Sequence, residues 1–123
     1  MHYALKDYLL AQGYNHVFCD YMPDVSAHLD AIDLSKWDHT VGSINDGSGM
    51  HYIQIQVRSA TAEQAYKTCS AIFKLLDSGT EEKLIQLNKN THCIARPRRG
   101  PVILERNSGY TTYYCEIALW GEN

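Results

Sequence analysis

Histidine, cysteine and the acidic side chains are where chemistry would begin in this sequence. Six histidines (His2, His16, His28, His39, His51 and His92) and four cysteines (Cys19, Cys69, Cys93 and Cys115) are spread along 123 residues. A zinc site needs such ligands at close, regular spacing, because several must converge on one ion. No two histidines sit at helical ligand spacing, no HExxH occurs and no cysteine pair has the CxxC form. Scattered surface or sheet histidines are the better reading. A thiol enzyme needs a cysteine beside an imidazole. Cys19 and Cys69 are the nominal nucleophiles, but with this many of each residue type chance alone supplies such pairs. P-loop, GxGxxG and GxSxG sequences are absent. Asp20, Asp24, Asp30, Asp33 and Asp38 are dense enough to attract a hard cation, yet they lack the Dx[DN]xDG spacing of a calcium loop. The reading is of solvated acids, with no catalytic residue, no metal and no cofactor.

The charged residues suggest contacts instead. Asp20 to Asp38 holds five aspartates and one lysine, whereas Arg96 to Arg106 holds four arginines and one glutamate. Two solvated loops would explain this. A sharper reading lets an acidic edge, with Asp24, Asp30 and Asp33, meet a basic edge, with Arg96, Arg98, Arg99 and Arg106, on a neighbouring subunit. A contact between unlike patches is heterologous, and such contacts close into rings or grow into filaments. A third reading sends the arginines to phosphates, with Tyr110, Tyr113 and Tyr114 near in sequence.

The elements that must position these residues are legible in the periodicities. His51 to Ser59 alternates: Ile53, Ile55 and Val57 point one way, and Tyr52, Gln54, Gln56 and Arg58 the other. A helix follows. Thr61 caps it, with Gln64 placed for a capping box, and Ala62, Ala65, Tyr66, Cys69, Ile72, Phe73 and Leu76 form its apolar stripe. Gly79 marks its end. Laying this stripe on the Ile53/Ile55/Val57 face buries both. Gln54, Gln56 and Arg58 are then left on the face to test for assembly. Nine tyrosines and two tryptophans are many for this length, and Tyr52, Tyr114 and Trp120 fall on the same outward face. Exposed aromatics with arginine are typical of protein interfaces, although aromatics also pair well across a solvated sheet.

Elsewhere, residues 2 to 12 read as a helix with Ala4, Leu5, Tyr8 and Leu9 on its apolar face and Gly13 ending it. Asn15 to Tyr21 is a short strand broken by Pro23. Ala31 to Trp37 reads as a strand, against a competing helix from Val25 to Leu34. Thr40 to Gly49, rich in Gly, Ser, Asn and Asp, is a loop. Glu81 to Leu87 is undecided between a helical turn and a strand. Thr91 to Ala95 is a strand, Pro97 to Pro101 a stiff basic turn, and Val102 to Arg106 a strand. Asn107-Ser108-Gly109 then turns the chain into a return strand from Tyr110 to Trp120. The sum is a single α+β domain over residues 1–123. It is a two-layer sandwich whose mainly antiparallel sheet, of about four to six strands, carries two helices on one face.

Composition agrees. A hydrophobic content of 45% is ordinary for a globular domain, and a net charge of −3 argues against bulk attraction to nucleic acid. No apolar run reaches the ~18 residues of a membrane span, and the first ten residues, which include Asp7, do not read as a signal peptide. Four cysteines in apolar, periodic settings read as buried free thiols in a reducing compartment, against disulfides or metal ligation.

The order of these segments resembles the minor capsid and tail-terminator proteins of tailed phages. The likeness covers nearly the whole chain. It includes the first helix, the Met22-Pro23-Asp24 break, the Ala31 to Trp37 strand, the Gly-rich loop and the strand ending in Gln56-Val57-Arg58. The helix with Ala65-Tyr66, the later Arg96-Pro97 with Pro101, Leu104 and Arg106, and a final Tyr-rich strand complete it. The resemblance implies a virion structural protein, assembled in the bacterial host cytoplasm. It implies a homo-oligomeric ring of about six copies that caps the tail tube and docks it to the head connector. Nucleic acid is met only as the genome passing through the ring, and a membrane not at all. Arg58 and Tyr66 match positions typical of the family, and the Thr40 to Gly49 loop matches a variable one. A nucleic-acid-binding module using the Arg96–Arg106 turn and the sheet tyrosines, or a small hydrolase, are the alternatives.

Overall fold

The alternation in 51–59 and the stripe after Thr61 meet as expected. The computed structural model describes residues 1–40 and 48–122. Its elements are α1 (His2–Ala11), β1 (Val17–Cys19), β2 (Ala31–Thr40), β3 (Ser48–Ser59), α2 (Ala62–Leu75), β4 (Ile85–Asn88), β5 (Thr91–Arg106) and β6 (Thr111–Glu122). They build an α+β fold with one six-stranded sheet in the order β1-β2-β3-β6-β5-β4. Among the described residues, β1 and β2 pair in parallel and the other neighbours are antiparallel. None of the described helices is long and apolar enough to cross a membrane.

Register explains why one face is dry. Leu34, Ile55 and Cys115 lie in one row across β2, β3 and β6, and Ile53 and Ile117 lie opposite each other in the next. Residues directly opposite share a face. These residues form one core with Cys69, Ile72 and Leu76 from α2 and with Leu5 and Leu9 from α1. Both helices therefore lie on the same side of the sheet. The N-terminal turn of α2 is capped as expected, Thr61 Oγ1 accepting from the Gln64 backbone N–H at 3.2 Å. The helix stops at its C-cap Leu76, before Gly79, whose φ of +73° serves the turn beyond. Tyr66 leaves the stripe: it is exposed and meets Tyr113 edge-on with ring centroids 5.5 Å apart.

The sheet curls, and α1 shows how far. It packs against β1 and β2 near one edge and against β4 at the other. Asn88 Nδ2 of β4 donates to Asp7 Oδ2 of α1 at 3.1 Å. One helix thus closes the open side of a sheet whose flanking strands, β1 and β4, have four strands between them.

Several expectations change. The strand from Ala31 forms and runs on to Thr40. The competing helix over Val25–Leu34 does not, because only a single turn forms there, with Ala27 and His28 N–H both donating to the Asp24 carbonyl. The undecided 81–87 stretch enters β4 at Ile85. Of the Thr40 to Gly49 loop, Thr40 belongs to β2 and Ser48 and Gly49 to β3; the rest lies outside the described residues.

The largest change concerns the stiff basic turn at Pro97–Pro101, which is the middle of the 16-residue β5. Proline removes a ladder donor and is confined to edges and bulges. Here β4 pairs only with Thr91–Cys93, and Ser78 takes both outward backbone groups of Ala95 at 2.8 Å. Among the described residues, β5 beyond that point pairs with β6 alone. Its register shifts three times, between Pro97 and Arg99, Arg99 and Val102, and Ile103 and Glu105. A bulged edge tolerates both prolines, so the chain continues where a central strand would have broken. The hairpin turn forms as expected, Asn107 Oδ1 accepting from Gly109 N–H at 2.9 Å and Tyr110 N–H at 3.0 Å. At the other end of the ribbon Gly121 is required. A Cβ there would lie 2.3 Å from the His92 carbonyl oxygen of β5.

Candidate assembly surface

The face of the sheet away from the helices carries most of the residues singled out from sequence. Gln54 and Gln56 sit half-buried at its centre, with Gln56 Nε2 donating to Gln54 Oε1 at 3.3 Å. Around them β5 and β6 add a layer of arginine and aromatic side chains. The Arg98 guanidinium lies 4.4 Å from the centroid of the Tyr52 ring, a cation–π contact. Arg99 Nη1 donates to Tyr114 Oη at 3.1 Å and lies 3.8 Å from Glu116. Arg96 pairs with Glu82 at 3.0 Å. The sequence brought these arginines together; the strand, rather than a projecting turn, presents them. Trp120 is exposed on the same face, beside Met50 and Ile94.

Arg58 has another task. It is only 6% exposed. Its Nε donates to the Leu29 carbonyl at 3.0 Å and its Nη2 to the Pro23 carbonyl at 2.7 Å and to the His28 carbonyl. The Tyr110 ring lies 5.6 Å from the guanidinium centre. A buried charge must be matched by hydrogen bonds, and here it is, by the loop 20–30 folding back over the sheet. Arg58 is therefore an internal clamp and is not open to a partner.

Asp33, also expected at an interface, anchors the same loop. It is 4% exposed. It accepts from the Tyr21 backbone N–H at 3.0 Å and from Ser35 Oγ at 3.1 Å. Burial raises its carboxyl above the ordinary value, and those two hydrogen bonds oppose the shift. Asp20, at φ +69°, ties the loop to α1, accepting from His2 Nε2 at 2.9 Å and Tyr3 Oη at 3.1 Å. The hydrogen bond from His2 lowers the Asp20 carboxyl.

Of the acids and arginines singled out from sequence, Asp24 and Asp30 remain exposed on the 20–30 loop and Arg106 on β5. The register Ala31–Arg58–Thr112–Glu105 runs across β2, β3, β6 and β5. Acidic loop and basic hairpin thus lie at one end of the sheet, on opposite sides, about 14 Å apart in strand spacings. What sequence reasoning missed is the apolar surface beside each. Val102, Ile103 and Leu104 are 39%, 42% and 48% exposed, and Tyr21 and Val25 are exposed on the loop. Three consecutive apolar residues in a strand break the alternation of a half-buried one, and that was the available signal.

Among the described residues no cluster of three or more His, Cys, Asp or Glu is placed to hold a metal ion. All four cysteines are free thiols, three of them buried. Cys93 is pushed up to about 11 by burial. Cys115 is pushed well above the ordinary thiol range by its hydrogen bond with Cys69 and by burial. Neutral buried thiols are poor nucleophiles. Cys19, the most accessible, has its sulfur on the His2 backbone carbonyl at 3.7 Å and not on an imidazole. A cleft of about 360 Å³ is lined by His16, Asp30, Arg58, Gln64 and Thr68, but its arginine is already spent on carbonyls. No protein-family model matches this chain, and comparison with curated proteins gives no match.

Proposed function

We propose that this chain is a non-catalytic structural subunit that assembles head to tail, in the manner of the tail-terminator or head–tail joining rings of tailed phages. One observation carries the assembly reading: the five aspartates of 20–38 lie on or beside β1 and β2 at one side of the sheet, and the four arginines of 96–106 lie on β5 toward the other. Unlike patches on one molecule favour a heterologous contact, which closes into a ring. The phage virion, a ring of about six copies and the tail tube and head connector as partners follow from the resemblance in segment order. The protein would then be made in the host cytoplasm and end in the virion.

Isolated protein and protein mixed with cognate tail tubes distinguish the outcomes. Expected are oligomers near the ring size, or a monomer that caps tubes and stops their growth. A strict monomer that leaves the tubes bare overturns the proposal. Charge reversal in Arg98→Glu/Arg99→Glu blocks assembly, and the variant still folds by circular dichroism. The nucleic-acid reading draws less support, since the net charge of −3 argues against bulk attraction to phosphates. Salt-sensitive binding to single strands would revive it.

A further inference from the structure

We infer that Cys69 on α2 and Cys115 on β6 form an oxidation site, a pair of thiols that hydrogen peroxide closes into a disulfide tying the helix to the sheet. Nothing in this pair depends on head-to-tail assembly. Both residues are completely buried in one core, and their thiol groups are hydrogen-bonded to each other. Cys69 lies in the buried stripe of α2 between Ala65 and Ile72, and Cys115 stands opposite Ile55 on the dry face of the sheet. Register excludes the other partners for Cys115. Cys19 stands opposite Leu34, Leu34 opposite Ile55 and Ile55 opposite Cys115, so Cys19 is three strands away, about 14 Å. Cys93 stands opposite Gly121, six residues along β6 from Cys115, or about 20 Å. A disulfide needs Cα atoms within about 7 Å of each other. Cys69 reaches Cys115 because it comes from the other layer.

Hydrogen peroxide suits a dry core because it is small and uncharged. Cys69 is oxidised first. β6 is paired on both sides, with β3 and β5, which holds Cys115 in place, whereas local opening of α2 carries Cys69 toward solvent. The Cys69 sulfur takes one oxygen from the peroxide and becomes a sulfenic acid, and the rest of the peroxide leaves as water. When the helix reseats, the Cys115 sulfur attacks the sulfenic sulfur. The S–S bond forms, and the sulfenic hydroxyl leaves with the Cys115 proton as a second water. The two sulfurs give up two electrons and the peroxide takes both. The Cys69 hydrogen bond and burial hold the Cys115 thiol well above the ordinary range, so closure is slow. The closed loop contains β4 and β5 whole, and a long closed loop restricts the unfolded chain more than a short one.

Peptide mapping after peroxide treatment tests this. Cys19→Ser removes the most accessible thiol, and this protein, kept native, is incubated with hydrogen peroxide, blocked with an alkylating agent and digested with trypsin. Cleavage after Lys67 and Lys74 releases the Cys69 peptide, and cleavage after Arg106 releases the Cys115 peptide. The expected product is these two peptides joined with the loss of two hydrogens and separated again by dithiothreitol. The thermal midpoint should rise by about 5 °C or more over that of the reduced protein. Adding Cys115→Ala should abolish both the joined peptides and the rise, with circular dichroism checking its fold. Cys69→Ala takes its place if it unfolds, and the map of the Cys19→Ser protein decides if neither folds. Cys69 and Cys115 recovered unjoined, a bond made through Cys93 instead, or joined peptides with no rise in midpoint overturns the inference.

Discussion

Ile53, Ile55 and Val57 on β3 point into a core they share with α2, while Gln54 and Gln56, one residue away, remain half-buried among polar neighbours. The contrast between the two faces of one strand is ordinary for a helix-covered sheet. More informative is how little of the outer face is available. Arg58 and Asp33 have been drawn inside by the loop 20–30, Arg98 is laid over Tyr52, and Arg99 is held by Tyr114 and Glu116. A polar face is thus not the same as an available face. Surface suited to partners has moved from the middle of the sheet to the loop at one side and the hairpin at the other.

Substitutions on the two faces can break this comparison. The largest loss is expected for Ile55→Ala, which empties a fully buried position. Chemical denaturation should show about 2–5 kcal/mol of destabilisation, and a loss within the range of a surface site would mean that α2 does not seal the core. Arg58→Ala comes next, at about 2–4 kcal/mol, since it strands three carbonyls under a loop. Hydrogen exchange should localise the opening to residues 20–30. Arg58→Lys should recover little, because an ammonium cannot span the same fork of acceptors. A surface-like effect of Arg58→Ala would return the residue to the partner-binding face.

The smallest effect sharpens the same point through pH. Asp33 is buried with its carboxyl raised above the ordinary value, so the native state holds that proton more tightly than the unfolded chain does. Its stabilising contribution is present when protonated and is lost as pH rises through the folded value. As pH rises above the ordinary carboxylate value, Asp33→Asn should therefore flatten part of the stability profile. Asparagine keeps the acceptor for the Tyr21 N–H, so the loop should stay in place. A profile unchanged by the substitution would place Asp33 in solvent.

The sandwich, the capped helix on the Ile53/Ile55/Val57 face and the Asn107–Gly109 hairpin were legible because each depends on neighbours within a few positions along the chain. Period two buries one face of a strand, a stripe at period 3.6 buries one side of a helix, and an asparagine carboxamide closes a turn two residues on. The candidate site was legible only in its composition. Arginines and aspartates were rightly assigned to opposite segments, but which of them stay available was decided in three dimensions. Arg58 alternates with Val57 as a solvent-facing residue would, and it is buried because Pro23, His28 and Leu29, about 30 positions earlier, bring carbonyls to it. Pro97 and Pro101 read as a turn, and they lie in a strand because the sheet leaves that edge unpaired. Periodicity tells which way a side chain points. Only the tertiary structure determines what else lies in that direction, and that decides whether a charge is held within the fold or left for a partner.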